Sequence, residues 1–278
     1  MRKVKIVADS SCDMFTLENI EFSAAPLKVI TAEKEFIDDP TLNVDGMVDY
    51  LYQYKGKSSS SCPNTNEWLE AFGDADDIFC LTITSARSGS YNSACVAKQI
   101  CEAENPGRRV HVFDTLSAGP EISLIIRMVE KYVQSGMSFE DVITSTEEYM
   151  QHTGLLFMLK SLRNFANNGR VSPMVAKLVG IAGVCIVGKA SSEGTLEPMH
   201  KCRGERRSID ALVDELQKEG YRAGRISIGH CQNETAANQL AELIRGRVPE
   251  AEIEIHKFGG LCSFYAEKGG VLVGFEKG

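Results

Sequence analysis

The sequence LTITSARSGSYNSA, residues 81–94, passes from a strand pattern through a hydroxyl-rich loop into a helix pattern. Residues 78–83 form a short apolar run of the kind found in buried strands. The amide groups at the start of the following helix, its dipole and the loop hydroxyls suit an anion such as a carboxylate or a phosphate. The serines also suit helix caps and turns, which is their commoner role in an isolated serine-rich loop, so both interpretations stay open at this point.

Two earlier loops have a similar composition. A strand at residues 3–8 ends directly in Asp9, Ser10 and Ser11, at the sheet edge where open α/β folds hold ligands. These three residues would also serve as caps of a short helix. The second loop, KSSSSCPNT at residues 57–65, precedes a helical pattern and is either a site of the same kind or a flexible linker.

The alternation of strands, polar loops and helices indicates an α/β fold. We predict two α/β domains, residues 1–152 and residues 153–278, of which the first has a mostly parallel sheet flanked by helices. The patterns predict strands at residues 3–8, 22–30, 78–83, 110–113, 175–179 continuing with 184–187, 225–230, 252–258 and 271–275. They predict helices at residues 45–54, 67–72, 121–133, 138–150, 205–218 and 234–245.

The composition is that of an ordinary globular protein, with 43% hydrophobic and 24% charged residues in a chain of 278. A formal net charge of −8 argues against a general nucleic-acid-binding protein, which needs a basic surface. No apolar run approaches the roughly 20 residues that span a bilayer, and the start, MRKVKIVADSS, lacks the apolar stretch of a signal peptide. We therefore expect a cytoplasmic protein.

The nine cysteines are scattered and form no CxxC pair, which indicates free thiols in a reducing compartment. The histidines show no spacing that would join them to the cysteines in a zinc site. The sequence has no Walker loop and no GxGxxG motif. We expect no metal, nucleotide or other cofactor.

Five motifs, taken in order, resemble those of the DegV family, and the resemblance runs nearly end to end. They are Asp9-Ser10-Ser11, Ser60-Ser61-Cys62-Pro63, SARSGSYNSA at residues 85–94, Val112-Phe113-Asp114-Thr115 and Gly169-Arg170-Val171-Ser172. The resemblance implies a two-domain α/β protein with a long-chain fatty acid bound between the domains. Several members of the family are the acyl-carrier subunit of a bacterial fatty acid kinase, so a kinase subunit is the expected partner.

The resemblance also implies roles for individual residues. Ser60, Ser88 and Gly89 match the positions that hold the carboxylate, and Ser61 stands beside them. The motif residues expected to support these loops are Asp9, Ser10, Ser11, Asp114 and Thr115. The acyl chain is expected in an apolar tunnel, largely in the C-terminal domain. Such a protein is not an enzyme on its own, and it makes at most transient contact with a membrane surface.

A cradle of hydroxyl and amide groups can bind a carboxylate without a cationic partner, because each charge-assisted hydrogen bond contributes about 1.5–3 kcal/mol. The tail contributes more, at roughly 0.8 kcal/mol for each buried methylene. Apolar residues available for the tunnel wall, most of them expected to be ordinary core, are Leu155, Leu156, Phe157, Met158, Leu159, Phe165, Val184, Ile186, Ile228, Phe258, Leu261 and Phe264.

This chain departs from the family in the C-terminal region. Many members carry His-x-Gly-Pro-Gly there, and that histidine reaches the head group. Here residues 265–270 are YAEKGG, so we expect Tyr265 to donate in its place or Lys268 to pair with the charge. This departure weakens the transfer of the kinase-partner role more than that of lipid binding.

The alternative function is an enzyme, either an acyl hydrolase or a kinase subunit of the dihydroxyacetone type. A hydrolase would want a nucleophile turn such as Gly-x-Ser-x-Gly, which Ser88 lacks, and its base would have to be the distant His230. The dihydroxyacetone chemistry relies on a histidine, and none lies in the serine loops.

A basic run stands out in this acidic sequence. Lys201, Arg203, Arg206 and Arg207 are either the solvated start of a helix or a docking patch for a kinase subunit or an anionic lipid surface. Arg170, in the Gly-Arg-Val-Ser turn, is a candidate member of that patch.

Overall fold

The structure, a computed structural model, describes residues 2–176 and 183–278. Its strands are β1 Val4–Asp9, β2 Glu21–Ala25, β3 Lys28–Thr31, β4 Glu35–Ile37, β5 Ser58–Ser61, β6 Asp77–Thr82, β7 Arg109–Asp114, β8 Thr153–Leu159, β9 Val184–Ala190, β10 Leu196–Arg203, β11 Arg225–His230, β12 Glu252–Lys257 and β13 Val271–Glu276. Its helices are α1 Val44–Gln53, α2 Thr65–Phe72, α3 Ser90–Glu104, α4 Pro120–Gln134, α5 Phe139–Gln151, α6 Arg163–Asn167, α7 Pro173–Ala176, α8 Glu205–Lys218, α9 Glu234–Arg247 and α10 Gly260–Ala266. A 3-10 helix, Ser10–Cys12, follows β1.

The first sheet has four parallel strands in the order β2-β1-β6-β7. Successive residues of β1 belong to different hydrophobic clusters: Val7 packs with α2 and α3, and Ala8 packs with α4 and α5. Helices therefore cover both faces, and every residue of β6 is buried, which explains the continuous apolar run at residues 78–81. The predicted α/β fold with a parallel sheet flanked by helices is confirmed.

The second sheet has six strands in the order β10-β9-β8-β13-β11-β12. Its pairs are antiparallel except for β11 with β12. Residues of β8 alternate between two sides: Leu156 and Met158 pack in the core beneath α8 and α9, whereas Phe157 and Leu159 belong to a different cluster on the opposite face. That opposite face looks toward the first part of the chain, and it forms a wall of the candidate site.

The strands of the six-stranded sheet all follow residue 152, and those of the other sheets precede it. Helix α4, however, packs closely on the second sheet, since a Cβ added at Gly274 would lie 2.5 Å from the backbone nitrogen of Glu121. The division into residues 1–152 and 153–278 stays a prediction.

The prediction of one strand at residues 22–30 was wrong. The structure has two strands there, β2 in the parallel sheet and β3 in a small antiparallel sheet of order β4-β3-β5. Pro26 lies between them and has no amide hydrogen to donate to a ladder. The Leu27 amide instead donates to Ser10 Oγ at 3.0 Å, which turns the chain out of the first sheet.

The four serines form β5 and are neither a linker nor a helix start. Helix α2 is capped by Asn64, whose side chain accepts from the Glu67 amide. The predicted strand at 175–179 was wrong where it can be compared, because Val175 lies in the short helix α7; residues 177–179 lie outside the described residues.

Candidate functional site

A cavity of about 260 Å³ lies between the polar loops of the first sheet and the second sheet. Most of its wall is apolar. Alternate side chains of β8 supply one side, and α6, α10 and β13 supply others. Apolar residues of the wall include Leu155, Phe157, Leu159, Phe165, Leu261 and Leu272.

Four polar residues of the cavity come from two of the predicted loops. Ser60 and Ser61 of β5 line it, and so do Ser88 and Gly89 before α3. The loops touch, because a Cβ added at Gly89 would lie 3.2 Å from the sulfur of Cys62. The structure therefore brings together the residues that the sequence assigned to a carboxylate.

Ser88 and Gly89 present donors to the cavity. Helix α3 starts after Gly89 without a side-chain cap, and within residues 2–176 and 183–278 the Gly89 amide has no hydrogen-bond acceptor. Ser88 Oγ accepts from the Ser90 amide at 3.2 Å, which leaves its own hydrogen free. A ligand oxygen at this helix start would meet both donors.

Tyr265 of α10 reaches the same end of the cavity. Its hydroxyl lies 2.8 Å from Ser60 Oγ, and its ring packs against that of Phe165 with the ring centres 4.7 Å apart. Lys268, the other residue considered for the missing histidine, does not line the cavity; its Nζ lies 3.5 Å from Asp49 Oδ1. Of the two residues, only Tyr265 therefore lies at the cavity, beside Ser60.

Asp9 braces the loop from behind and does not line the cavity. Its buried carboxylate accepts from the Ile83 amide at 2.9 Å and from Ser90 Oγ at 2.5 Å, and it also accepts from the Ser11 hydroxyl. Burial raises its pKa, and the hydrogen bonds from Ser11, Ser90 and the Ile83 amide oppose that rise. Asp9 therefore ties the end of β1 to the start of α3.

The other supporting residues also brace loops. Ser10 is buried and donates to Asp38 Oδ2 at 2.9 Å. Asp114 accepts from the Ser85 amide at 3.0 Å, and Thr115 Oγ1 donates to the carbonyl of Thr82 at 2.8 Å. These contacts fix the course of residues 82–90.

Two arginines also line the cavity. The sequence motifs predicted a site of hydroxyl and amide groups without a cation and did not indicate these two residues. They are Arg87, in the serine loop itself, and Arg170. The Nε of each is buried and has no hydrogen-bond partner among the residues that the structure describes. Burial lowers the pKa of Arg87, and the nearby charge of Arg170 lowers it further. The candidate site is therefore cationic.

Only some of the apolar residues predicted for the tunnel wall line the observed cavity. Five of its residues line the cavity, namely Leu155, Phe157, Leu159, Phe165 and Leu261. Leu156, Met158 and Ile228 belong to the core beneath α8 and α9. The period of two along β8 was the signal in the sequence that could have separated the two groups.

Comparisons with known proteins agree with this geometry. The family model described as uncharacterised protein, DegV family, matches residues 3–277. This chain belongs to the DegV family. A DegV domain-containing protein of Streptococcus pyogenes serotype M1 is 41% identical over 276 residues, which are 98% of this chain and 99% of that protein.

Two solved structures of DegV-like proteins cover 99% of this chain and 100% of their own. One is the fatty acid kinase (Fak) B3 protein of Streptococcus pneumoniae loaded with linoleic acid, which is 42% identical with a TM-score of 0.96. The other is a DegV family protein of Eubacterium eligens loaded with heptadecanoic acid, which is 41% identical with a TM-score of 0.96.

No histidine is among the cavity-lining residues in the described part of this DegV chain. His230, the base that a hydrolase would need, is buried at the end of β11, where its Nδ1 accepts from the Asn233 amide at 3.3 Å. Ser88 has no base beside it in the described residues.

The basic run of this DegV protein lies away from the cavity that Arg170 lines. Arg203 and Arg206 are exposed, at the end of β10 and the start of α8. β10 begins at the cavity with Leu196, so Arg203 lies roughly 23 Å along the strand from it. Among the described residues, no helix is long and apolar enough to cross a membrane, and no cluster of side chains could hold a metal ion.

Proposed function

We propose that this protein binds a long-chain fatty acid, with the carboxylate at Ser60, Ser88 and Gly89 and the tail in the apolar part of the cavity. The observation that carries the proposal is a mostly apolar cavity whose wall also contains serine hydroxyls, the Gly89 amide, unpartnered in the described residues, and two guanidinium groups. The family supports it, because the relatives from Streptococcus pneumoniae and Eubacterium eligens were crystallised with fatty acids.

In this proposal the Tyr265 hydroxyl donates to Ser60 Oγ, so that the hydrogen of Ser60 is free for the carboxylate. Ser88 Oγ and the Gly89 amide donate to the same group. Arg87 and Arg170 offset the negative charge. The hydrogen bonds fix the orientation, whereas the tail dominates the affinity, at about 0.8 kcal/mol for each buried methylene.

The protein acts as a carrier with no chemistry or cofactor of its own, and a kinase subunit phosphorylates the carboxylate that it presents. The absence of a base beside Ser88 in the described residues supports the first part. The likeness to the fatty acid kinase B3 protein supports the second. The exposed Arg203 and Arg206 are the proposed docking cations, whereas Arg170, at the cavity, is assigned to the carboxylate. We propose no role for nucleic acid and only transient contact with a cytoplasmic membrane surface.

Native mass spectrometry of the purified protein, followed by lipid extraction, tests the binding. We expect one fatty acid per chain, and its loss when Ser60 and Ser88 are both replaced by Ala. The matched control is Ser59→Ala, on the same strand but exposed. A chain that takes up no fatty acid even after incubation with one would refute the proposal.

The carrier role is tested with the loaded protein, ATP and a fatty acid kinase subunit. We expect phosphorylation of the bound fatty acid that requires both proteins and weakens at higher salt. The charge reversals R203E and R206E should slow it without loss of bound lipid. Turnover of an acyl ester by this protein alone, with covalent labelling of Ser88 by a fluorophosphonate, would favour the hydrolase instead.

A further inference from the structure

Two buried carboxylates outside the cavity lie at the amino end of α10. Asp13 follows the 3-10 helix after β1, and Asp38 follows β4. The side chain of Asp13 is fully buried, and Asp38 is 1% exposed. Neither forms an ion pair with a lysine or arginine of the described residues. His256 Nε2 lies 3.9 Å from Asp13 Oδ2, an oxygen with no hydrogen-bond partner among those residues. Hydrogen bonds to the other three oxygens therefore have to offset the cost of burial.

Those hydrogen bonds converge on the start of α10. Asp38 Oδ1 accepts from the Gly260 amide at 2.5 Å, and Asp38 Oδ2 accepts from the Leu261 amide at 2.9 Å. Asp13 Oδ1 accepts from the Gly259 amide at 2.8 Å. Three successive amides of this segment therefore donate to two carboxylates from the first part of the chain.

The glycines make this approach possible. A Cβ added at Gly259 would lie 3.0 Å from Asp13 Oδ1 and 3.1 Å from Asp38 Oδ1. One added at Gly260 would lie 2.8 Å from Asp38 Oδ1. The Gly259-Gly260 pair is thus explained by the close contact of backbone and carboxylate.

The helix that the carboxylates hold carries part of the cavity wall. Leu261 and Tyr265 both line the cavity, and Tyr265 bonds to Ser60. Asp38 and Ser60 belong to the same small sheet, β4-β3-β5, or its immediate continuation. Helix α10 is therefore held to this sheet at two places. Asp38 binds the start of the helix, and Tyr265 makes the contact near the end of the helix.

We propose that Asp13 and Asp38 are positioning residues of the fatty acid site, which hold α10 so that Tyr265 orients the Ser60 hydroxyl toward the carboxylate. This inference rests on the proposed function. A neutral cap would hold a helix start with one acceptor, whereas Asp38 supplies two oxygens to two amides and fixes the helix direction as well as its position. Neither carboxylate touches the ligand.

A double-mutant cycle between Asp38→Asn and Tyr265→Phe tests the inference. The amide of an asparagine replaces one acceptor oxygen by a donor, so one of the two bonds to α10 is lost. We expect D38N to weaken fatty acid binding about fivefold in the wild-type background and less than twofold in the Y265F background, since its effect passes through Tyr265. The melting temperature should fall in both backgrounds.

The matched control is Asp77→Asn, which removes another buried carboxylate at the opposite end of β6 from the serine loop. It should lower the melting temperature, leave the affinity unchanged and show no coupling to Y265F. If D38N does not fold, Gly259→Ala replaces it, because the added Cβ crowds both carboxylates while the backbone at that residue, with φ −69°, accepts alanine.

Equal losses of affinity in the two backgrounds, or no loss in either, would overturn the positioning role while the fatty acid site stands. A wild-type protein that binds no fatty acid would overturn the proposed function and this role together. A loss that shrinks in the Y265F background is the result that supports the proposal.

Discussion

Replacing Arg87 by methionine should have opposite effects on the empty and the loaded protein. The change removes the guanidinium and keeps an unbranched apolar stem of similar length. In the empty cavity Arg87 lies near the charge of Arg170, and its buried Nε has no partner in the described part of the chain. Its removal therefore relieves a repulsion and an unmet donor. In the loaded protein the same change removes an attraction for the carboxylate.

The expected changes in melting temperature and in Kd follow from how far Arg87 is buried. An unmet buried donor costs about 1 kcal/mol, so we expect the empty R87M protein to melt roughly 2–4 °C above the empty wild type. A charge-assisted hydrogen bond contributes about 1.5–3 kcal/mol, and the partial exposure of Arg87 favours the lower value. The Kd for a fatty acid should then rise roughly tenfold.

The assay is calorimetric titration and thermal denaturation of delipidated protein with a fatty acid and with its methyl ester. The ester keeps the tail and carries no charge, so R87M and wild type should bind it equally. Arg245→Met, which removes an exposed charge on α9, is the matched control variant. The reasoning fails if R87M destabilises the empty protein, or if it weakens the ester and the acid alike.

Three further predictions concern other parts of the fold. Leu155→Phe narrows the apolar cavity, so affinity for long acyl chains should fall more than that for short ones; equal losses across a chain-length series would contradict the tail placement. Gly194→Ala should lower the melting temperature by several degrees, because the residue has φ +70° and an added Cβ would lie 2.0 Å from Thr84 Oγ1. Burial raises the pKa of Asp77, but hydrogen bonds from Arg109 and Arg2 lower it more, to about 2. Its stabilisation, about 1–2 kcal/mol after allowance for the exposed arginines, is present above the unfolded pKa and is lost as the pH falls through about 2. D77N should match the wild type only at that acid limit in urea titrations.

The elements of the parallel sheet were predictable because local pattern and burial agree there. A strand covered on both faces needs a continuous apolar centre, and β6 has one at residues 78–81, between Asp77 and Thr82. The break at Pro26 was equally visible in the sequence, but its consequence was not, because a change of sheet depends on where Leu27 finds a partner. That partner, Ser10, belongs to another strand end.

The site was predictable in its loops and less so in the roles of its residues. Ser10 and Ser60 are both serines near a strand end, yet Ser10 is buried against Asp38 and Ser60 lines the cavity. Sequence pattern alone does not determine which residues of a loop face a cavity. Arg87 illustrates the same gap, since it stands inside the stretch that predicted an anion site and its direction depends on how residues 84–90 turn.

β5 shows why propensity fails at such a place. Four serines are poor strand formers because they bring no apolar surface to a packed face. This strand lies at the edge of a three-stranded sheet, with Ser59 exposed and Ser60 turned to the cavity and to Tyr265. A strand whose inner face meets a polar head group needs hydroxyls there. The pairing with β3 supplies its regular backbone, and a carboxylate bound as proposed would account for a sequence that local rules assign to a loop.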